Sequence, residues 1–362
     1  MSSLLIFLII LSILVLVHEL GHFIAAKLAG VWVEEFGFGL PPRVIGKRVG
    51  KTIYSINLLP FGGFVRLHGE SSEEGIKKPK KAFYRKSIGA RLVILLAGVV
   101  MNFFLAIVAF AIVYSFVGLP KESNNVKVVD VSAGSPAQSA GLVVGDVVRK
   151  VAETSVKTSE GFINLVEENK GKKTLFELEN GNKIFITPRE TPPEGEGPLG
   201  VGISSLEIYY PPLWQRPFYG AYYGFKDAIF WGRQVAGGIF GMVNGLFRGQ
   251  TPKDLAGPVG IYALTSEVSK VGTLALIHFV GILSVNLAIL NVFPFPALDG
   301  GRIAFVIIEL IIGKKVAPRV EAALHTVGMG ILILLIVAIT VRDIQRLIYF
   351  GSISSFVENV LR

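Results

Sequence analysis

Long apolar runs alternate along this chain with polar, glycine-rich stretches. The first run, Leu4 to Val17, continues through HELGHFIAAKLAG to Gly30. A helix of that length rises far enough to cross the roughly 30 Å hydrocarbon core of a bilayer. A second run covers Ile88 to Val117, and the last covers Val320 to Val341. Between them lie Gly272 to Leu290 and Arg302 to Ile312, separated by NVFPFPALDGG. Read as one interrupted span, this pair gives four membrane segments, with the loop GKKVAPR on the same side as the other basic loop.

The intervening stretches follow other periods. Val31 to His68 is rich in Gly, Pro and β-branched or aromatic residues and alternates in VWVEEFGF and TIYSINL, which predicts a small β-hairpin sheet. The basic stretch Lys77 to Ser87 reads as a membrane flank. Residues 124–203 carry short β-branched strands and balanced charge, predicting a soluble β-rich module with a hairpin turn at Asn180, Gly181 and Asn182. A Pro/Gly/Glu-rich passage, Pro188 to Pro198, interrupts it. Trp214 to Phe247, aromatic and glycine-rich with charges at intervals, predicts a pair of interfacial amphipathic helices.

Composition narrows the class. With 51% hydrophobic residues and a mean hydropathy of +0.57, the 362-residue chain is too apolar for a set of soluble domains. The net charge of +9 is unevenly placed: Lys27 to Arg91 holds thirteen basic residues against five Glu, whereas Asn124 to Leu199 holds nine against eleven acidic. That asymmetry puts the first loop on the cytoplasmic side and the module outside, and argues against nucleic-acid binding. Met1 to Ser3 carry no basic side chain, so the first run does not read as a cleaved signal peptide. The chain has no cysteine, so a transition metal would need ligands from its five histidines and its carboxylates.

Two of those histidines stand in H-E-x-x-H. Four residues apart on a helix, His18 and His22 share a face, and Glu19 lies one position on from the first ligand. A carboxylate placed there can take a proton from water activated by the metal and return it to the leaving amine. Such groups are costly inside a membrane span and are retained where they face a polar site. Catalytic zinc takes three protein ligands, and Asp299 is the leading third, because it lies between apolar segments after a Pro-broken stretch. A helix N-cap is its other role. His278 and His325 compete less well, each alone on an apolar helix, and His68 reads as solvent-side in the basic loop.

HELGH at 18–22 together with NVFPFPALDGG at 291–301 resembles the site-two protease family of intramembrane zinc metalloproteases. GSPAQSAGLVVGDVV, Gly134 to Val148, is similar to the PDZ domains of its bacterial RseP/RasP branch. The resemblance implies zinc on His18, His22 and Asp299, Glu19 as catalytic acid and base, and Asn291 as a substrate-binding side chain, with Pro294 and Pro296 matching the motif's prolines. FGFGLPPR resembles a membrane-reentrant β-element that pairs with substrate, and GPVGI, Gly257 to Ile261, the loop before the third span. One PDZ-like module stands here where several relatives have two, and Val99 stands in AGVVMNF where some have proline.

The expected fold is a polytopic α-helical membrane protein of about four transmembrane segments, with a membrane-associated β-hairpin and an inserted PDZ-like α+β domain. Its parts are a first transmembrane helix with the zinc motif at 1–30, hairpin and basic loop at 31–87, a second helix at 88–118 and the PDZ-like domain at 124–203. Interfacial helices at 204–271, an interrupted third segment at 272–313, a fourth helix at 318–342 and a tail at 343–362 complete it. The resemblance implies regulated intramembrane proteolysis in a bacterial inner or plasma membrane, on substrates such as anti-sigma factors or signal-peptide remnants. The active site would lie near the cytoplasmic side, with the PDZ-like domain outside, filtering by size or binding a substrate C-terminus. Two other readings are a membrane-anchored zincin with a protruding catalytic domain and an inactive PDZ-bearing scaffold. The soluble module holds no histidine, which argues against the first.

Overall fold

The computed structural model describes residues 2–70, 78–249, 256–314, 316 and 318–360. Lys77 of the basic stretch, Lys315 and Ala317 of the GKKVAPR loop, and Leu361 and Arg362 of the tail lie outside the described residues. The chain forms two compact units, one of residues 1–116 with 213–362 and one of residues 117–212.

The first unit is built on α1 (Ser3–Leu28), started by the Ser2 hydroxyl, which accepts from the Leu5 amide. Strands β1 (Val33–Val49) and β2 (Thr52–Leu67) follow, then α2 (Ile88–Val117). Antiparallel around the Gly50–Lys51 turn, β1 and β2 then double back on themselves: Gly37 lies beside both Ser55 and Phe64, while Ser55 also lies beside Gly46. The expected hairpin is therefore a sheet of four segments. Residues 52–57 and 33–38 lie in the middle, flanked by 43–49 and 63–67. Prolines at 41 and 42 and glycines at 39, 62 and 63 stand where each long strand must bend. Inside the sheet the buried Glu35 carboxylate accepts two bonds from Arg43, at 2.9 and 2.6 Å.

The second unit forms its own sheet. Strand β3 (Leu119–Val131) leads to the one-turn helix α3 (Pro136–Ser139), then β4 (Val147–Val151), β5 (Thr154–Ser155), α4 (Ser159–Glu168), β6 (Thr174–Leu178), β7 (Lys183–Ile186) and β8 (Val201–Tyr209). The order is β7-β6-β4-β3-β8 with β5 on β4. The β6–β7 turn falls on Asn180–Asn182, where Gly181 takes φ +84 and the Asn180 side chain accepts from the Asn182 amide. The strands bury Val126, Val128, Val148, Val151, Phe176 and Leu178 against Phe162 and Val166 of α4, with the alternation broken in β4 by a register shift between Val148 and Lys150.

The remaining helices rejoin the first unit: α5 (Arg216–Phe247), α6 (Pro258–Val271), α7 (Thr273–Val292), α8 (Asp299–Ile312), α9 (Pro318–Phe350) and α10 (Ile353–Val360). The expected pair of amphipathic helices over 214–247 is instead one continuous helix of 32 residues. Two of its glycines are contacts with a neighbouring helix. A Cβ on Gly220 or Gly224 would stand 2.6 Å or 2.7 Å from the Ala111 or Ile107 carbonyl of α2, so the bare backbone lets the helices close. Helices α1, α2, α7 and the Val320–Phe350 stretch of α9 are long and apolar enough to cross a membrane.

Candidate metal centre and active site

The inner half of α1 carries His18, Glu19 and His22, and the helical repeat sets both imidazoles toward α2 and α8. Asp299 comes from far along the chain. After α7 ends at Val292, the FPFPAL passage folds back tightly enough that a Cβ on Gly300 would sit 2.1 Å from the Phe293 carbonyl and one on Gly301 2.6 Å from that of Phe295. Ala297 takes φ +93 and its amide donates to Nδ1 of His325, fixing the turn two residues before the carboxylate. Asp299 is the first residue of α8, with Leu298 at the cap position, so its carboxylate is free to point at the histidines.

Asp299 Oδ2 lies 2.9 Å from Nε2 of His18 and 3.1 Å from Nε2 of His22, and the two nitrogens are 3.1 Å apart. The three atoms converge to within a few tenths of an ångström of the spacing around bound zinc. A tetrahedral ion with ligand bonds of 2.0–2.1 Å spaces its ligands about 3.3 Å apart. The neighbours are shaped to the same end. Gly98 of α2 lies so close that a Cβ there would be 2.4 Å from His22 Nε2 and 2.7 Å from His18 Cε1. His22 Nδ1 sits 2.8 Å from the Ile94 carbonyl, so Nδ1 carries the proton and the Nε2 lone pair faces His18 and Asp299. Asn291, buried near the end of α7, brings its amide nitrogen within 3.5 Å of His18 Nε2.

The structure thus brings together His18, His22, Asp299 and Asn291, with Glu19 on the same turn of α1. Glu19 also borders the sheet, where a Cβ on Gly63 would stand 3.7 Å from its Cγ. The other histidines lie elsewhere. His278 Nε2 pairs with Asp227 of α5 at 3.2 Å. His68, expected toward solvent, is buried: its ring tilts against Trp32 and its Nδ1 meets Glu34 at 2.7 Å. The end of β2 tucks under the chain leaving α1, which the charge of the neighbouring loop does not reveal.

Sequence reasoning does not single out Asn102. Fully buried on α2, it sets its amide 3.3 Å from His18 Nδ1, and its backbone carbonyl accepts from Ser284 of α7 at 2.8 Å. Its side-chain oxygen is buried without a hydrogen-bond partner among the described residues. With Nε2 given to a metal, His18 would carry its proton on Nδ1, and a half-turn of this amide presents that oxygen to it. The available signal is a lone amide inside an otherwise apolar span.

Two further ion pairs brace the centre. Arg91 of α2 meets Glu309 of α8 at 2.6 Å with both side chains buried, and Arg302, one turn after Asp299, pairs with Glu70 beyond β2. Both tie the Asp299 helix to elements next to the histidines.

Comparison with known proteins agrees with this geometry. Residues 6–335 match the profile of Peptidase family M50. A Clostridium perfringens protein with a provisional zinc metalloprotease name is 36% identical over 337 residues, covering 92% of this chain and 96% of that protein. Zinc metalloprotease RasP of Oceanobacillus iheyensis is 29% identical, covering 96% and 100%. Regulator of sigma-W protease RasP of Bacillus subtilis is 29% identical, covering 94% and 98%. The chain belongs to peptidase family M50, the site-two protease family. It is an integral membrane zinc metalloprotease, and within the family its similarity lies with the RseP/RasP branch.

Proposed function

We propose that this chain hydrolyses peptide bonds within unwound transmembrane segments of membrane-protein substrates. One observation carries this reading: three candidate ligand atoms converge beside a glutamate, and two of them, with that glutamate, stand on a helix long and apolar enough to span a bilayer. His18, His22 and Asp299 hold the ion. Zinc, when bound, polarises a carbonyl and makes water a better nucleophile. Glu19 takes a proton from the attacking water and passes it to the leaving amine. Asn291 offers its amide to the substrate backbone, and Asn102 holds His18 from behind.

A transmembrane helix hides its carbonyls in its own hydrogen bonds, so the substrate must be unwound and given new partners. Segment 63–67 flanks the sheet, is paired only with 33–38 among the described residues, and reaches Glu19 at Gly63. Its other edge accepts the substrate as an added strand, which delivers extended backbone to the metal.

On this reading residues 1–30, 88–118, 272–313 and 318–342 are the membrane segments, with the active site toward the cytoplasmic side and the 124–203 module outside, as the charge distribution supports. The module is PDZ-like. GSPAQSAGLVVGDVV forms α3 and the turn into β4, while β8, starting in LGVGI, is paired only with β3 among the described residues, and a substrate C-terminus would add to its other side. The name of the Bacillus subtilis relative supports substrates of the anti-sigma type. The test is cleavage of a model transmembrane substrate by the full chain in detergent. Wild type should cut within the apolar segment and Glu19→Gln should not. Equal turnover by both would sink the proposal.

A further inference from the structure

Near the end of α1 and the start of α2, four lysines crowd together. The ammonium groups of Lys51, Lys78 and Lys86 all act on that of Lys81, Lys51 most strongly. Together they hold Lys81 below the usual lysine value. Among the described residues, no carboxylate stands within ion-pair distance of any of the four. Trp32 braces the cluster: its indole N–H donates to the Lys51 carbonyl at 2.7 Å, and Lys78 lies over its ring at 5.7 Å. A cluster that no described carboxylate neutralises calls for an anion.

Beside it runs an apolar groove of about 410 Å³ between α1 and α2, lined only by nonpolar residues, among them Ala25, Leu28, Gly89, Val93, Ala97 and Met101. From Gly89 to Met101 the groove follows α2 for about 18 Å at 1.5 Å per residue. One leaflet of a hydrocarbon core of about 30 Å is about 15 Å deep. Its Ala29 and Gly89 end adjoins the lysines, since a Cβ on Gly30 would stand 3.5 Å from Lys86 Nζ.

We infer that these features form one binding site for an anionic phospholipid of the bilayer, with the headgroup phosphate on Lys51, Lys81 and Lys86 and an acyl chain in the α1–α2 groove. The charge is complementary to the phosphate, and the groove has the depth of one leaflet. The chain would lie one helix layer behind the metal ligands, because Gly21 on the groove packs directly on the Ala97 backbone and the next residue, Gly98, packs on His18 and His22.

The test measures lipid association with the full-length protein in nanodiscs of phosphatidylglycerol and phosphatidylcholine, by competition with spin-labelled lipids. Wild type should prefer phosphatidylglycerol. Changing Lys51, Lys81 and Lys86 to Gln should weaken that preference by about fivefold per lysine, and changing them to Arg should keep it. A Cβ on Gly89 meets open space, so Gly89→Leu should fold, retain zinc and lose the slowly exchanging lipid of either headgroup. An unchanged headgroup preference in the Gln variant, or slow lipid retained by Gly89→Leu, would overturn the site. So would displacement by inorganic phosphate alone, or by a transmembrane peptide that takes the groove for itself.

Discussion

His18 and His22 meet Asp299 at 2.9 and 3.1 Å, and elsewhere in the same unit His278 meets Asp227 at 3.2 Å. Both places pair imidazole with carboxylate among apolar helices, yet only one has the makings of a metal centre. At the first, three donors converge and Gly98 keeps clear the space that a methyl group would fill. At the second, a single histidine is packed by the rings of Phe110 and Trp231, with centroids 4.9 and 6.5 Å away, and its bond to Asp227 joins α7 to α5. A His–Asp contact is therefore a helix fastener by default. It becomes a ligand set when a third donor and a missing side chain are added.

The comparison can be broken in several places. The largest expected effect is on catalysis: Glu19→Gln should lower kcat/KM on a transmembrane substrate by about 10³-fold or more while leaving zinc content unchanged. Next, Gly98→Ala removes no ligand but puts a methyl group against both imidazoles, so zinc should be lost on purification. Gly89→Ala, on the same helix facing open space, is the matched control and should bind zinc normally. Retention of zinc by Gly98→Ala would show that the cradle is not required.

A smaller effect is expected one layer out. Asn102→Leu keeps the volume but leaves His18 Nδ1 without its partner, and zinc affinity, read by competition with a chelator, should fall about 10- to 100-fold. At the fastener, Asp227→Asn should cost about 1–3 kcal/mol of thermal stability in detergent with no change in zinc affinity. An altered affinity there would erase the distinction between the two pairs.

The smallest effect concerns the sheet. Burial alone would raise the Glu35 carboxyl, but its bonds from Arg43 and the charge of Arg66 outweigh this and hold it below the usual carboxylate value. A depressed value means stability that is full above the unfolded carboxylate pKa and lost as pH falls through the folded one. Protease resistance of residues 33–67 should therefore decline at acid pH, and Glu35→Gln should flatten that decline.

How much of this was legible in the sequence depended on whether a spacing rule existed. HELGH announces itself because helical geometry puts residues four apart on one face. Asp299 could be found only by asking which carboxylate lies between apolar runs, since the fold-back that delivers it rests on the close approach of Gly300 and Gly301 to the carbonyls of Phe293 and Phe295, which no spacing rule announces. Gly98 and Asn102, four apart on one face of α2, belong to no recognised motif and take their meaning from what α1 brings against them. Alternation announced strands in Val31 to His68, but not that each strand would bend and pair twice. The role of Gly220 and Gly224 in α5 is not legible because their partner, the backbone of α2, is over a hundred residues away.

The central claim is that Asp299, not any other carboxylate, completes the zinc centre with His18 and His22. Its most direct test is the zinc content, by plasma mass spectrometry, of wild type, Asp299→Ala and Asp227→Ala purified side by side. Wild type and Asp227→Ala should each carry a full complement, and Asp299→Ala should be nearly empty. Full zinc in Asp299→Ala would contradict the account.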